Sequence, residues 1–154
     1  MTTITAIVTA IVTALTADLG TIDLSTTDQV QEGTFVRPPG SEAFAAVLPP
    51  RLLDSQGQAR NLCYLETYEV VVRLWAPVPA ATHESRVARS RLLQAEAQKA
   101  LDGARDDTST AIWRCVRWAV TGGDPHPAPA GAADWAHVAL TITLTYRRGT
   151  GTGA

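Results

Sequence analysis

Tyr64-Leu-Glu-Thr-Tyr-Glu-Val-Val-Val-Arg-Leu-Trp75 is dense in β-branched and aromatic side chains, and Pro77 and Pro79 follow it closely. Such residues suit the pleated, half-buried surface of a strand, and proline cannot donate to a ladder. The stretch therefore predicts a long strand that stops at the prolines. Its natural neighbour is Trp135 to Arg148, where Val138, Leu140, Ile142, Leu144 and Tyr146 alternate with Ala139, Thr141, Thr143, Thr145 and Arg147. That two-residue period sends one row into a core and the other toward solvent or a neighbouring subunit.

The helices are read outward from this pair. Beyond the connector Ala76 to Thr82, an apolar stripe of Val87, Leu93, Ala97, Ala100 and Leu101 predicts a helix from about His83 to about Leu101. Arg86, Arg89, Arg91, Glu96 and Lys99 take its wetter positions, Thr82 or Ser85 caps its start, and Gly103 ends it. Near the N-terminus, Ile4, Ile7, Val8, Ile11, Val12, Leu15 and Leu19 fall on one helical face, with Gly20 as the stop. Its β-branched residues have poor intrinsic helix propensity, so this helix depends on packing. Ala6, Ala10, Ala14 and Ala17 form a small-residue face that admits a sheet or a second helix at short range.

The remaining elements are shorter. Val30 to Val36 and Glu42 to Leu48 read as short strands closed by Arg37-Pro-Pro-Gly40 and Pro49-Pro50, and the prolines favour edges or extended arms. Asp54-Ser-Gln-Gly57 reads as a turn before the long strand, and Asp106 to Thr110 as a solvated loop. Ile112, Val116, Trp118 and Val120 alternate with Ala111, Trp113, Cys115, Arg117 and Ala119, which predicts one more strand. Gly122 to Gly131 is too rich in Gly and Pro for regular structure. The sum is an α+β fold, in which one mostly antiparallel, twisted sheet of about four to five strands carries both helices. Residues 1–148 form a single domain, and the Gly/Thr tail 149–154 is expected to be disordered.

Composition limits the function. The 154 residues carry a net charge of −2, with 45% hydrophobic and 18% charged residues, which argues against a disordered chain or a basic nucleic-acid binder. No segment has the roughly 20 apolar residues that span a bilayer. Met1 to Asp18 lacks a basic start, and threonines interrupt its apolar run, so it reads as a structural helix of an intracellular protein rather than a signal peptide. Cys63 and Cys115, the two cysteines, fit no zinc spacing and read as reduced thiols, with a disulfide conceivable if their strands pair.

Catalytic constellations are missing from the sequence: there is no GxSxG elbow, P-loop, GxGxxG after a strand, HExxH or deaminase pattern. His83, His126 and His137, with Asp124 or Asp134, are spaced too widely to favour a metal site over unrelated surface histidines. Asp106 and Asp107 read as solvating their loop. Cys115 lies on a strand beside Arg117, and a structural thiol is favoured over a reactive one. No catalytic, cofactor-binding or metal-binding residue is assigned, and the chain is not expected to be an enzyme.

Four tryptophans are many for so small a core. Strand parity puts Glu69, Val71, Arg73 and Trp75, and likewise Trp113, Cys115 and Arg117, opposite the rows expected to be buried. Aromatic residues mixed with Arg are the composition of contact surfaces. The alternative is that a helix covers this face too and makes it ordinary core. The candidate subunit-contact residues are Phe35, Arg37, Phe44 and Leu48 on the Pro-bounded arm; Arg73, Trp75, Trp113 and Arg117 on the outward rows; and Asp124 and His126 on the Gly/Pro loop.

The layout runs from an N-terminal helix through Pro-ended short strands to a long strand ending Arg73-Leu-Trp-Ala-Pro77. An Arg/Ala/Leu-rich helix follows, then two final strands ending Leu140-Thr-Ile-Thr-Leu-Thr-Tyr-Arg-Arg148. This order, from Ile4 to Arg148, resembles the tail terminator (tail completion) proteins of long-tailed bacteriophages and, more loosely, other small neck proteins. The resemblance implies a virion subunit, assembled in the host cytoplasm, that forms a homo-oligomeric ring, typically a hexamer, at the head-proximal end of the tail tube. Such a ring ends tube polymerisation and meets both the tail tube protein and the head-tail connector protein. DNA would pass through its channel without sequence-specific binding, and neither a cofactor nor a membrane is implied. Another neck or tube component, such as a head-completion or tube protein, and a small ligand-binding or enzymatic α+β domain are the alternatives.

Overall fold

A computed structural model describes residues 2–18, 30–33, 43–58, 63–78, 82–123 and 135–149. In chain order the elements are α1 (Ile4–Asp18), β1 (Val30–Glu32), β2 (Phe44–Val47), β3 (Arg51–Gln58), β4 (Cys63–Pro77), α2 (His83–Asp106), a 3-10 turn (Ile112–Arg114), β5 (Arg117–Gly122) and β6 (Trp135–Gly149). Among the described residues they make an α+β fold of two helices and a mixed six-stranded sheet. Its order is β1-β2-β4-β6-β5, with β3 also paired to β4.

The spine is the antiparallel pair β4 and β6, in register from Cys63↔Gly149 to Pro77↔Trp135. Val70↔Ile142, Val72↔Leu140 and Leu74↔Val138 bring the predicted inward rows onto one face, where all six side chains are fully buried. Both helices pack on that face. Ile7, Val8, Ile11 and Leu15 of α1 and Leu93, Ala97 and Leu101 of α2 share one cluster with the even-numbered residues of β4 and β6.

Local chemistry fixes the helix starts. The Thr3 hydroxyl accepts the Ala6 N–H at 3.2 Å and so caps α1. In α2, Thr82 and Ser85 form a reciprocal capping box: Ser85 N–H donates to Thr82 Oγ1 (3.1 Å) and Thr82 N–H to Ser85 Oγ (2.8 Å). Thr13 and Thr16 of α1 turn their hydroxyls back on the helix, to the carbonyls of Thr9 and Val12.

Several sequence expectations are corrected. The sheet has six strands rather than four or five; it is mostly antiparallel, as expected, and the one parallel pair, β1–β2, makes it mixed. Asp54 to Gly57 is no turn but part of β3, which pairs with β4 from Arg51↔Glu69 to Gln58↔Cys63 with a bulge at Leu53. Residues 51 to 57 are all exposed, so β3 carries no buried row and leaves no hydrophobic period to read.

Gly103 does not end α2, which continues to Asp106. The extra turn is held from beyond the helix, where Arg105 Nη1 donates to the carbonyls of Ile112 and Trp113, each at 2.8 Å, and Thr110 Oγ1 donates to Ala104 O at 2.6 Å. The same contacts hold Ile112–Arg114 as a 3-10 turn, so the strand predicted over Ala111 to Val120 begins only at Arg117. Three-residue spacing puts Ile112 and Cys115 on one side of that turn, and both are buried. A two-residue reading had placed them on opposite faces. Gly20 and the loop 124–131 lie outside the described residues, as does the tail beyond Gly149.

The spine and β3 differ sharply in burial, and stability should follow. Leu140→Ala removes a fully buried side chain from the centre of the cluster and is expected to cost about 3 kcal/mol. Leu52→Ala, on the exposed β3, should change stability by less than about 0.5 kcal/mol. Urea unfolding of the two variants measures both, and comparable losses would contradict this layering.

Candidate functional site

The second face of the sheet carries the odd-numbered residues of β4 and β6, and no residue of α1 or α2 joins the cluster on it. Cross-strand register sets its rows. Thr67, Thr145 and Arg117 form one row across β4, β6 and β5; Glu69, Thr143 and Ala119 form the next; Val71, Thr141 and Thr121 the third. Arg73 then lies between Ala46 and Ala139, and the last row is Phe44, Trp75 and His137.

The corner with the last row is apolar and closed. Phe44, Ala46 and Trp75 bury one another, with Trp135 packed against them, and Trp75 is only 3% exposed. The Trp75 and His137 rings stack at 3.9 Å between centroids and 18° between planes. From this corner the face opens into a half-exposed strip of Thr, Ala and Val with Arg73, Arg117 and Arg147 exposed on it. Thr67 and Thr145 share a hydroxyl–hydroxyl hydrogen bond of 2.9 Å, and Arg51 pairs with Glu69 at 2.9 Å.

The predicted contact residues divide. Phe44, Arg73, Trp75 and Arg117 share this face, and Leu48 joins them by register, its N–H donating to the Val71 carbonyl at 2.9 Å. Trp75 is core of the second face rather than an exposed anchor. Trp113 is corrected: it lies on the 3-10 turn, off the sheet, and is 48% exposed. Phe35, Arg37, Asp124 and His126 lie outside the described residues. His137 and Trp135 belong to the corner although the sequence reading did not assign them to a contact surface. The Trp75↔His137 pairing depends on strand register, which short-range pattern does not set.

Chemically reactive groups are sparse. Among the described residues no three His, Cys, Asp or Glu side chains gather around a point. Among the described residues two grooves stand out on the helical side. One of about 510 Å³, between α1 and the end of α2, is lined by Ala6, Thr9, Ala10, Thr13 and Gly103, with Asp107 its one ionisable side chain. Ser109 N–H and Oγ both donate to that carboxylate, holding its pKa below the ordinary range and closing the loop. The other, about 530 Å³, has Arg89 as its one ionisable side chain beside Pro77, Val78 and Leu92.

Two further groups were missed or misassigned by the sequence. Glu66 is buried and accepts hydrogen bonds from Tyr146 Oη (3.1 Å), Tyr68 Oη (3.2 Å) and Arg148 Nε (2.6 Å). Arg148 also covers the Tyr64 ring, 4.9 Å from its centroid. Burial first and then the Glu66 carboxylate raise the phenols of Tyr68 and Tyr146 above the ordinary 10, so both stay neutral donors. This network ties β4 to β6 along the part of β4 that also pairs with β3; it is a brace. Cys115 is also structural: burial pushes its thiol up from 9.0 to about 11, partly offset by Arg105 rather than by Arg117. Neither cysteine is in a disulfide.

No protein-family model and no curated protein matches the chain.

Glu66→Ala leaves two phenols and a guanidinium without their acceptor and is expected to cost about 2 kcal/mol, whereas Glu66→Gln, which keeps an acceptor oxygen, should cost less. Thermal unfolding decides this, and equal effects would remove the bracing role. The Cys115 shift has its own signature. The native state keeps the thiol proton to higher pH than the unfolded chain does, so stability declines as pH rises from 9 toward 11. Cys115→Ala should make that decline shallower, read by urea titrations across the interval. At pH 8 an alkylating reagent should modify the half-buried Cys63 well before Cys115, and equal native rates would contradict the burial argument.

Proposed function

We propose that this chain is a structural subunit that assembles with copies of itself, and specifically a tail terminator of a long-tailed bacteriophage. In this reading a ring, expected to be a hexamer, sits at the head-proximal end of the tail tube in the virion. It stops tube polymerisation and offers its other surface to the head-side connector. DNA passes through the axial channel by shape and without sequence reading, in keeping with a net charge of −2. The partners are copies of the same chain, the tube protein and the connector protein. No catalytic residue, cofactor or membrane contact enters the proposal.

One observation carries it. Both helices cover the same sheet face, and the flat Thr/Ala/Arg strip of the other has no helix over it among the described residues. A sheet clad on one side has a broad second surface for lateral contact. The element order from Ile4 to Arg148, read from the sequence as like the tail terminators, turns a generic building block into this particular one.

A head-completion or tube protein would share much of this, so the discriminating property is closure. A terminator forms a finite ring and halts growth; a tube protein polymerises. Negative-stain images of tube protein polymerised with and without this chain test the point. Tubes of limited length, each bearing an extra ring at one end, are expected. Tubes of unrestricted length with bare ends in the presence of excess protein would overturn the terminator reading, and helical polymers of this chain alone would favour a tube component.

A further inference from the structure

Two surfaces of the described residues lie open on opposite sides of the molecule. One is the helix-free strip of the sheet, a platform of short side chains that runs from Arg73 to Arg147. The other is the outward side of α2, where exposed residues recur at helical spacing from Glu84 through Leu92 and Lys99 to Asp106.

We infer that α2 of one copy packs along the strip of the next, with Glu84 at Arg73 and Asp102 at Arg147, so that a helix lies between two sheets. The inference rests on the self-assembly in the proposed function and adds which surfaces meet.

Charges on the two surfaces match in sign and in spacing. From its N-terminal end the exposed side of α2 carries Glu84, Arg91, Lys99 and Asp102, in the order negative, positive, positive, negative. At about 1.5 Å per residue the last three stand roughly 10, 22 and 27 Å beyond Glu84. On the platform Arg73 is followed by Glu69, by Asp54 in the Thr67 row and by Arg147 in the Leu65 row, which is the complementary order. At about 3.3 Å per strand residue these rows lie roughly 13, 20 and 26 Å beyond Arg73. Asp106 follows Asp102 one turn later, and Arg117 stands in the row next to Arg147, so the acidic end of the helix meets the cationic end of the strip. Among the described residues Glu69 is the only one of these groups in an ion pair, with Arg51, and Asp54 accepts the Gln56 amide.

The hand agrees as well. Val71 O accepts from Leu48 N–H on the β3 side and Thr145 O from Val116 N–H on the β5 side, which fixes the order of strands across this face. A right-handed helix run from Arg73 toward Arg147 then has Lys99 on its β3 flank and Asp102 on its β6 flank, the sides on which Asp54 and Arg147 stand. Run the other way, Lys99 falls near the Val71 row, which holds no acid on this face.

Between the charges the contact is apolar and close. Ala88, Leu92 and Ala95 come over the part of the strip that holds Val71, Thr141 and Thr143, and Leu92 is 42% exposed in the single copy. Exposed ion pairs contribute little affinity singly, so the charge order sets direction and register while the covered apolar area holds the contact. Helix and strip are different surfaces, so each added copy leaves one of each free. Such a heterologous contact closes into a ring when its rotation allows.

Cross-linking of the full chain with a short bis-maleimide tests the contact. Cys63→Ser removes the half-buried thiol, and Cys115 stays in place because it is buried. In that background Asp102→Cys together with Arg147→Cys should give a ladder of covalent multimers. The two single-cysteine chains should give dimers only when mixed, and neither should cross-link alone. Asp102→Cys mixed with Arg73→Cys should stay uncross-linked, because those positions lie at opposite ends of the contact. As a second measure, Asp102→Arg or Arg147→Asp should weaken association several-fold by sedimentation, and the two reversals in one chain should restore it. Cross-links within one single-cysteine chain, a cross-link between the Asp102→Cys and Arg73→Cys chains, an assembly that ignores the reversals, or a monomer at the highest attainable concentration would each overturn the contact. A chain that assembles through another surface and still caps tubes loses this inference and keeps the proposed function; one that assembles in this way and leaves tubes bare does the opposite.

Discussion

The antiparallel pairing of β4 with β6 is the constraint on which the rest of the molecule depends. Because side chains alternate along a strand, its register decides at once which residues are core and which are surface. With Val72 opposite Leu140, every even residue from Val70 to Ala76 joins the helix-bearing core. The odd residues are then committed to the other face. A slip of one residue would turn Val138, Leu140, Ile142 and Leu144 out of the core and bring Thr141 and Thr143 into it. Loss of so much apolar burial would be comparable to the whole stability of an ordinary domain. The second face is thus fixed as firmly as the core, although few of its residues contribute to stability.

Much of this was legible in the sequence because burial leaves a period. β6 shows strict alternation, and the helical stripes of α1 and α2 include the buried Ile7, Val8, Ile11 and Leu15 and the buried Leu93, Ala97, Ala100 and Leu101. What could not be read was structure held without burial. β3 is an exposed polar strand kept by its hydrogen bonds to β4, so Asp54 to Gly57 carries only turn-like residues. The end of α2 and the 3-10 turn depend on Arg105 and Thr110 reaching carbonyls distant in structure type, and a two-residue period through Ile112 and Cys115 is misleading there.

The candidate site was legible by half for the same reason. Strand parity placed Arg73 and Trp75 together, and β5 added Arg117. Parity also implied that Trp75 was an outward anchor, whereas Phe44, Ala46 and Trp135 close over it and His137 stacks on its ring. Partnerships between strands distant in sequence depend on register, which no local pattern supplies. The Asp54-to-Arg117 row across four strands has the same origin, and it gives the platform a direction: an acid at one edge and a cation at the other.

The central claim is that the sheet face with no helix over it is the surface by which copies of this chain meet. Amide hydrogen exchange of the unmodified chain, compared between dilute and concentrated solution, tests that claim most directly. Slower exchange on concentration is expected in β4, β5 and β6, which carry that face, with α1 unchanged. Exchange that ignores concentration, or protection confined to the helical side, would contradict it.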